Sequence, residues 1–368
     1  ANGDTVTVVD GLITSVADIT FRFTVDTTKP GGSATVFALS LASQTVNFTI
    51  DWGDATSDVV TTYNDSALTH DYTATGGAGT YNITITGSLP YPSFTGIYEK
   101  KIINISNFGI IGVTNLDSSF KECINLDVSA TDGNSWQPTS MFEAFTECWS
   151  LTSGLSLLDL SNCTTLESCF YMTYGSGDVY DEDLNSWDTS NVTTMKEMFT
   201  NSVFNSPINL WNTGSVTDMS FMFFQCPNFN QDISSWDTSS IQIFDRMFQS
   251  AVLFNQNLNT WNTSSSTNMF QMFFNAQLFN QNLDAWDITG VTSMDLFLRL
   301  TAINNANYQA ILIGWTGWTG GVATKTVQPN VNIHFQSAKY EIGGDSEDAK
   351  NWLTGVGNTW TIVDGGGI

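Results

Sequence analysis

The stretch Val216-Thr-Asp-Met-Ser-Phe-Met-Phe-Phe-Gln-Cys-Pro-Asn-Phe-Asn-Gln-Asp-Ile-Ser-Ser-Trp-Asp-Thr-Ser239 decides how this chain is read, because its pattern returns 25 residues later. One aromatic slot holds Phe120, Phe145, Phe170, Phe199, Phe223, Phe248 and Phe273, then Leu298, at spacings of 25, 25, 29, 24, 25, 25 and 25 residues. Four residues earlier stand Leu116, Met141, Leu166, Met195, Met219, Phe244, Met269 and Met294. Trp187, Trp211, Trp236, Trp261 and Trp286 keep the same period. The second half of the chain is therefore about eight copies of one short unit. Such a unit cannot bury its own apolar face and must stack on its neighbours.

Within a copy, Val192, Met195, Met198 and Phe199 fall at i, i+3, i+6 and i+7, which predicts one face of a short helix capped near Ser190. Asp183-Leu-Asn-Ser-Trp-Asp188 predicts a short strand. Stacked copies then give a parallel strand ladder on one side and helices on the other. Asn205, Asn230, Asn255 and Asn280 follow the Phe of a Phe-Asn step and are expected as buried ladder residues that satisfy the neighbouring copy's backbone. Asp188, Asn212, Asp237, Asn262 and Asp287 follow the Trp, and the alternation keeps like charges from stacking about 5 Å apart. A metal ladder along this column is the alternative.

The motifs Phe229-Asn-Gln-Asp-Ile-Ser-Ser-Trp-Asp-Thr-Ser239 and Val216-Thr-Asp-Met-Ser-Phe-Met-Phe223 resemble the repeat of BspA-like leucine-rich repeat surface proteins, over residues 115–300. The first three copies depart from it and carry Phe-x-x-Cys-x-x-Leu, as in Phe120–Leu126. An insertion, Tyr174–Tyr180, interrupts the period as a loop. The resemblance implies a surface protein that recognises or adheres.

Residues 1–95 alternate apolar and polar residues in short runs such as Asp4–Val9, Asp18–Val25 and Thr45–Trp52, broken by Gly, Asp and Asn. Trp52-Gly-Asp54, His70-Asp-Tyr72 and Gly79-Thr-Tyr81 resemble the motifs of PKD-type immunoglobulin-like sandwiches, with Ala55 and Asp71 departing from them. His70 is expected to bond the Asp51/Asp54 turn. Asp51 and Asp54 are also weak calcium candidates, although calcium takes six to eight oxygens. Residues 96–114 read as a bridge and residues 303–368 as a closing cap, with helices at Tyr308–Trp315 and Ser346–Leu353 and strands at Asn332–Phe335 and Trp360–Asp364. His334 reads as surface or core filler. The expected fold class is thus mixed: an N-terminal all-β immunoglobulin/PKD-like sandwich, then a leucine-rich-repeat-type α/β solenoid over 115–302, then a C-terminal α/β cap.

Composition narrows function. Thirty-six acidic residues against 11 basic ones give a net charge of -25, which excludes the clustered cations that nucleic acid requires and disfavours anionic membranes. Charged residues are only 13% of the chain, so its polarity comes from Asn, Thr, Ser and Gly, as in exposed β-rich proteins. No apolar run is long enough to span a bilayer. No signal peptide stands at Ala1-Asn-Gly3, which fits either its removal or display on a particle. Cys123, Cys148, Cys163, Cys169 and Cys226 form no CxxC pair. Cys123 and Cys148 fall one unit apart, either as a disulfide or as two small thiols filling the same slot. No nucleophile motif, phosphate loop or metalloprotease motif is present, so the expectation is a non-enzyme.

The leading expectation is an extracellular, cell-surface or virion-surface protein that binds a host protein or carbohydrate. Its candidate ligand-facing residues flank the tryptophans: Asn185, Ser186, Ser234, Ser235, Asn259, Thr260, Asp284 and Ala285. They are small and polar, and suit either a ligand or plain solvent. The alternative is a structural or decoration subunit of a phage tail, capsid or surface layer, docked to its particle through residues 1–95.

Overall fold

The computed structural model describes residues 5–9, 12–17, 19–42, 44–132, 136–173, 182–335 and 337–367. The predicted Tyr174–Tyr180 loop lies outside these residues, as do Asp4 and Asp18 at the edges of two predicted strands. The chain divides into two compact units, Ala1–Asn191 and Val192–Ile368.

The first unit begins with strands Thr5–Val9 (β1), Leu12–Ala17 (β2), Thr20–Asp26 (β3), Val36–Ala38 (β4), Asn47–Asp51 (β5) and Ser57–Val60 (β6). Thr69–Asp71 (β7), Thr80–Ser88 (β8), Ile102–Asn107 (β9) and Asp127–Val128 (β10) follow. Six of them form one sheet in the order β10-β9-β3-β8-β5-β6, with β1–β2 and β4–β7 as separate pairs. Alternation explains the pairing: Phe21, Phe23 and Val25 of β3 are buried, and Ile85 and Ile83 of β8 stand opposite the two phenylalanines. Gly53 turns the chain at φ +79°, where a Cβ would meet the Asn82 carbonyl oxygen at 2.5 Å. Lys101 is fully buried beside this sheet, and its ammonium donates to the carbonyls of Ser33 (2.5 Å) and Val36 (2.8 Å).

In both units the repeats pack by register. Phe120 stacks on Phe145 at 5.2 Å in the first unit. In the second, Phe199, Phe223, Phe248 and Phe273 stack in file at 5.6, 5.6 and 5.4 Å, and Trp211, Trp236, Trp261 and Trp286 at 6.3, 6.4 and 6.2 Å. All these rings are buried. Stacked aromatic pairs add roughly 0.5–1.5 kcal/mol each beyond area burial.

The expected α/β solenoid with an α/β cap is not what the chain forms. The fold is sheet- and turn-rich, and the two α-helices among the described residues, Asn305–Thr316 (α1) and Asp345–Thr354 (α2), both follow the repeats. The segments read as helices are instead chains of tight turns. Met198 N–H donates to Met195 O and Thr200 N–H to Glu197 O, which are i to i−3 bonds, while Glu197 and Asn201 adopt φ of +58° and +53°. The alternate N–H groups of Met195, Glu197, Phe199 and Asn201 leave the segment and donate to Asp218, Ser220, Met222 and Phe224 of the next copy. A three-residue spacing puts apolar side chains inside for either backbone, so the periodicity could not separate turn from helix. The segment read as a strand is a turn, with Trp236 N–H on Ile233 O. The parallel bridges, Thr194 to Asp218, Ile243, Asn268 and Ser293 in turn, lie in the segment read as helix. The immunoglobulin-like sandwich is corrected too. The principal sheet takes in β9 and β10, and among the described residues the other strands of this unit form only the two-stranded pairs β1–β2 and β4–β7 rather than a comparable second sheet.

Residues after the repeats hold α1 and α2 together with the parallel pair Asn332–His334 (β11) and Thr361–Val363 (β12). Asn304 caps α1 through a side-chain bond from Asn307 N–H, and Gly317 ends it in the left-handed conformation.

Candidate functional site

The tryptophans and the polar residues that follow them in a repeat are held by structural bonds. The Trp236, Trp261 and Trp286 indoles donate Nε1–H to Ile208, Ile233 and Leu258 of the preceding copy at 2.8–3.1 Å, and Trp315 of α1 does the same to Leu283. The next residue folds locally: Asp188, Asn212, Asp237, Asn262 and Asp287 each accept the N–H two residues on. These bonds hold the Asp188 and Asp237 carboxyls below the usual range, chiefly through Ser190 and Ser239. Thr213, Thr238 and Thr263 then donate forward to Asp237, Asn262 and Asp287 carbonyls. No group of three or more His, Cys, Asp or Glu side chains among the described residues is placed to hold a metal.

The asparagine column makes the expected bonds in a less buried setting. Asn205, Asn230, Asn255 and Asn280 each accept, through Oδ1, the N–H of the matching residue one copy on, at 2.9 Å. Gln231, Gln256 and Gln281 donate back to the same rungs. Asn230 and Asn255 are exposed.

Several of the candidate ligand-facing residues also bond to the neighbouring copy, and others are held by local turns. Ser186, Ser235 and Thr260 donate their hydroxyls to the carbonyls of Ser156, Asn209 and Ser234 at 2.7–2.8 Å. Asn259 donates to Asp284 Oδ1 and accepts Ala285 N–H. Asn185, Ser234 and Asp284 have their N–H groups held by Asp183, Asp232 and Asn282. Leu210, in the column of Ser235 and Thr260, is 71% exposed and was not among the candidates.

In the first unit His70 bonds Asp54 Oδ2 through Nε2 at 2.8 Å, stacks on Trp52 and packs its edge against Tyr72. Asp54 is 1% exposed at its side chain, with Oδ1 on Thr56 and Oδ2 on His70 and Thr75. Burial alone would raise its carboxyl, but the bonds from Thr56, Thr75 and His70 outweigh it and hold the group well below the usual carboxylate range. Asp51 accepts Gly53 N–H. The two calcium candidates are thus parts of one hydrogen-bonded turn. All five cysteines are buried free thiols, so Cys123 and Cys148 fill a slot rather than form a bridge. Burial pushes their pKa values up, that of Cys163 to about 11.

One ridge was missed. Arg246, at φ +53°, lies between the rings of Phe221 (5.1 Å) and Phe270 (4.7 Å). It pairs with Asp245 at 3.3 Å and donates to Gln271. Phe224 packs edge-on to Phe221. Asp245 Oδ1 and Gln249 Oε1 are buried acceptors with no hydrogen-bond partner among the described residues. Burial pushes the Asp245 carboxyl above its ordinary range, against the lowering pull of Arg246. The signal available in the sequence was the run of phenylalanines outside the repeating slots: Phe221, Phe224, Phe270 and Phe274.

The fold and its rungs define a tandem-repeat protein stabilised copy against copy. Comparison with known families agrees: the model described as "Mycoplasma protein of unknown function, DUF285" matches residues 92–205, 139–241 and 201–310. These overlapping matches cover more than half of the chain, which belongs to that family. No curated protein and no solved structure matched. No helix among the described residues is long and apolar enough to cross a membrane.

Proposed function

We propose that the chain is a non-enzymatic recognition protein, akin to BspA-like surface repeat proteins, that is displayed on a surface and binds a host protein or glycan. The observation that carries this reading is the ridge around Arg246. Aromatic and arginine side chains dominate the centres of binding faces, and buried acceptors without partners favour an incoming donor. The rungs hold this ridge on a stiff backbone, which lowers the ordering cost of binding. The resemblance of the Trp52-Gly-Asp54 and His70-x-Tyr72 motifs to PKD-type modules belongs to the same reading of an exposed protein. The contact is placed on the ridge rather than beside the tryptophans, because the hydroxyls of Ser186, Ser235 and Thr260 are already engaged by carbonyls.

The test is binding of the purified chain to host cells and to glycan arrays, alongside Arg246→Ala. The expected result is saturable binding that the variant weakens by about tenfold, the loss of roughly one buried charged contact. Absence of binding to any surface, or equal binding by the variant, overturns the proposal.

A further inference from the structure

A second site, separate from the ridge and independent of the reading above, lies in the second unit where the last repeat meets β11 and β12. A cavity of about 450 Å³ is lined by Arg299, Leu300, His334 and Val363. Register explains the grouping. Arg299 and Leu300 are consecutive in the final turn segment, with Leu300 at φ +64°, and the pairing of β11 with β12 puts His334 beside Val363.

We propose that this cavity binds a small monoanionic hydroxy-carboxylate of the uronic acid class. Arg299 carries the first part of the case. Arg246 is paired and stacked, whereas the Arg299 guanidinium makes no hydrogen bond or ion pair among the described residues. A guanidinium left open beside a cavity forks a carboxylate through two parallel N–H bonds. His334 carries the second part. Its Nδ1 is buried without a hydrogen bond among the described residues and faces Asp295 Oδ1 at 3.4 Å. With Nδ1 set against Asp295, Nε2 is the ring nitrogen left to meet a ligand hydroxyl. Asp295 also sets the charge limit, since a carboxylate near one cation suits the site better than a dianion does. The net charge of -25 acts in the same direction against polyanions. Leu300 and Val363, 40% and 45% exposed, offer apolar walls to the C–H face of a sugar ring. The volume falls within the range of about 300–1,000 Å³ common to small-molecule sites.

The test is an NMR titration of the full chain, labelled with nitrogen-15, with glucuronate, glucose and inorganic phosphate as separate probes. The expected result is saturable shifts at Arg299, Leu300 and His334 for glucuronate in the millimolar range, with glucose and phosphate about tenfold weaker. Arg299→Ala, at an exposed position, keeps the folded spectrum and loses about tenfold in glucuronate affinity, while Arg299→Lys falls between. Val363→Trp, which narrows the cavity at one wall, weakens the glucuronate shifts. The inference is overturned if glucuronate gives no saturable shift at these residues, if glucose or phosphate binds equally well, or if Arg299→Ala binds as the parent does. Failure here leaves the Arg246 ridge untouched, because the two sites share no residue.

Discussion

Phe248→Ala tests the rungs where they are densest. Phe248 is fully buried. Its ring stacks on Phe223 at 5.6 Å, on Phe273 at 5.4 Å and on Phe254 at 4.0 Å. Truncation removes the transfer energy of the ring and leaves a cavity that neighbours held by their own rungs cannot close. Phe→Ala changes in such sites cost about 3–5 kcal/mol. Three lost stacks place this position toward the upper end of that range. For a unit of the size of Val192–Ile368, about 2–4 °C of melting temperature is lost per kcal/mol, so the midpoint drops by roughly 6–20 °C. Phe248→Leu, which keeps most of the volume, costs less than half as much. The assay is thermal unfolding followed by tryptophan fluorescence, which the stacked Trp211–Trp286 file makes sensitive to this unit. A drop below about 3 °C for the alanine variant, or equal drops for alanine and leucine, would refute a core packed by register.

Three further outcomes follow from the same contacts. Lys101→Met leaves the carbonyls of Ser33 and Val36 without their donor and lowers unfolding stability in urea by about 1–3 kcal/mol; an unchanged urea midpoint contradicts the buried ammonium. The Asp54 carboxyl is held below its ordinary range when folded, so its contribution is present above the unfolded pKa and is lost as pH falls through and below about 4. Thermal melts from pH 6 downward therefore steepen there, and Asp54→Asn flattens that dependence; a parallel pH profile in the variant counts against the His70–Asp54–Thr56 arrangement. The five buried thiols stay protonated near neutral pH and resist iodoacetamide until the chain unfolds, as intact-mass measurement checks; rapid labelling of the native chain contradicts their burial.

The sequence disclosed which side chains are inside more faithfully than how the backbone runs. Phe223, Met219 and Trp236 occupy slots that any compact backbone must bury, and they are buried. The two later helices were also legible, because Asn304 supplies a cap, Gly317 a stop, and Asp345, Glu347 and Asp348 an acidic first turn. The turn segments were not legible. Glu197, Phe221, Arg246 and Gln271 all adopt positive φ, yet none is a glycine or asparagine that would announce it. Their left-handed geometry, costing about 1–2 kcal/mol per residue, is held by N–H bonds to the next copy, which a single copy does not display. The ridge escaped for a related reason. Glu197, Phe221, Arg246 and Gln271 share a column without sharing chemistry, so a search for repetition passes over the position where the pattern breaks. The His334–Asp295 contact was not legible because the two residues are distant in sequence.

The most direct test of the account is the backbone conformation of the repeats themselves, measured by backbone chemical shifts and three-bond amide–Hα couplings over residues 192–300. The account predicts positive φ at Glu197, Phe221, Arg246 and Gln271, and no unbroken helical run across Met195–Phe199, Met219–Phe223 or Phe244–Phe248. Continuous helical shifts through those segments would contradict it.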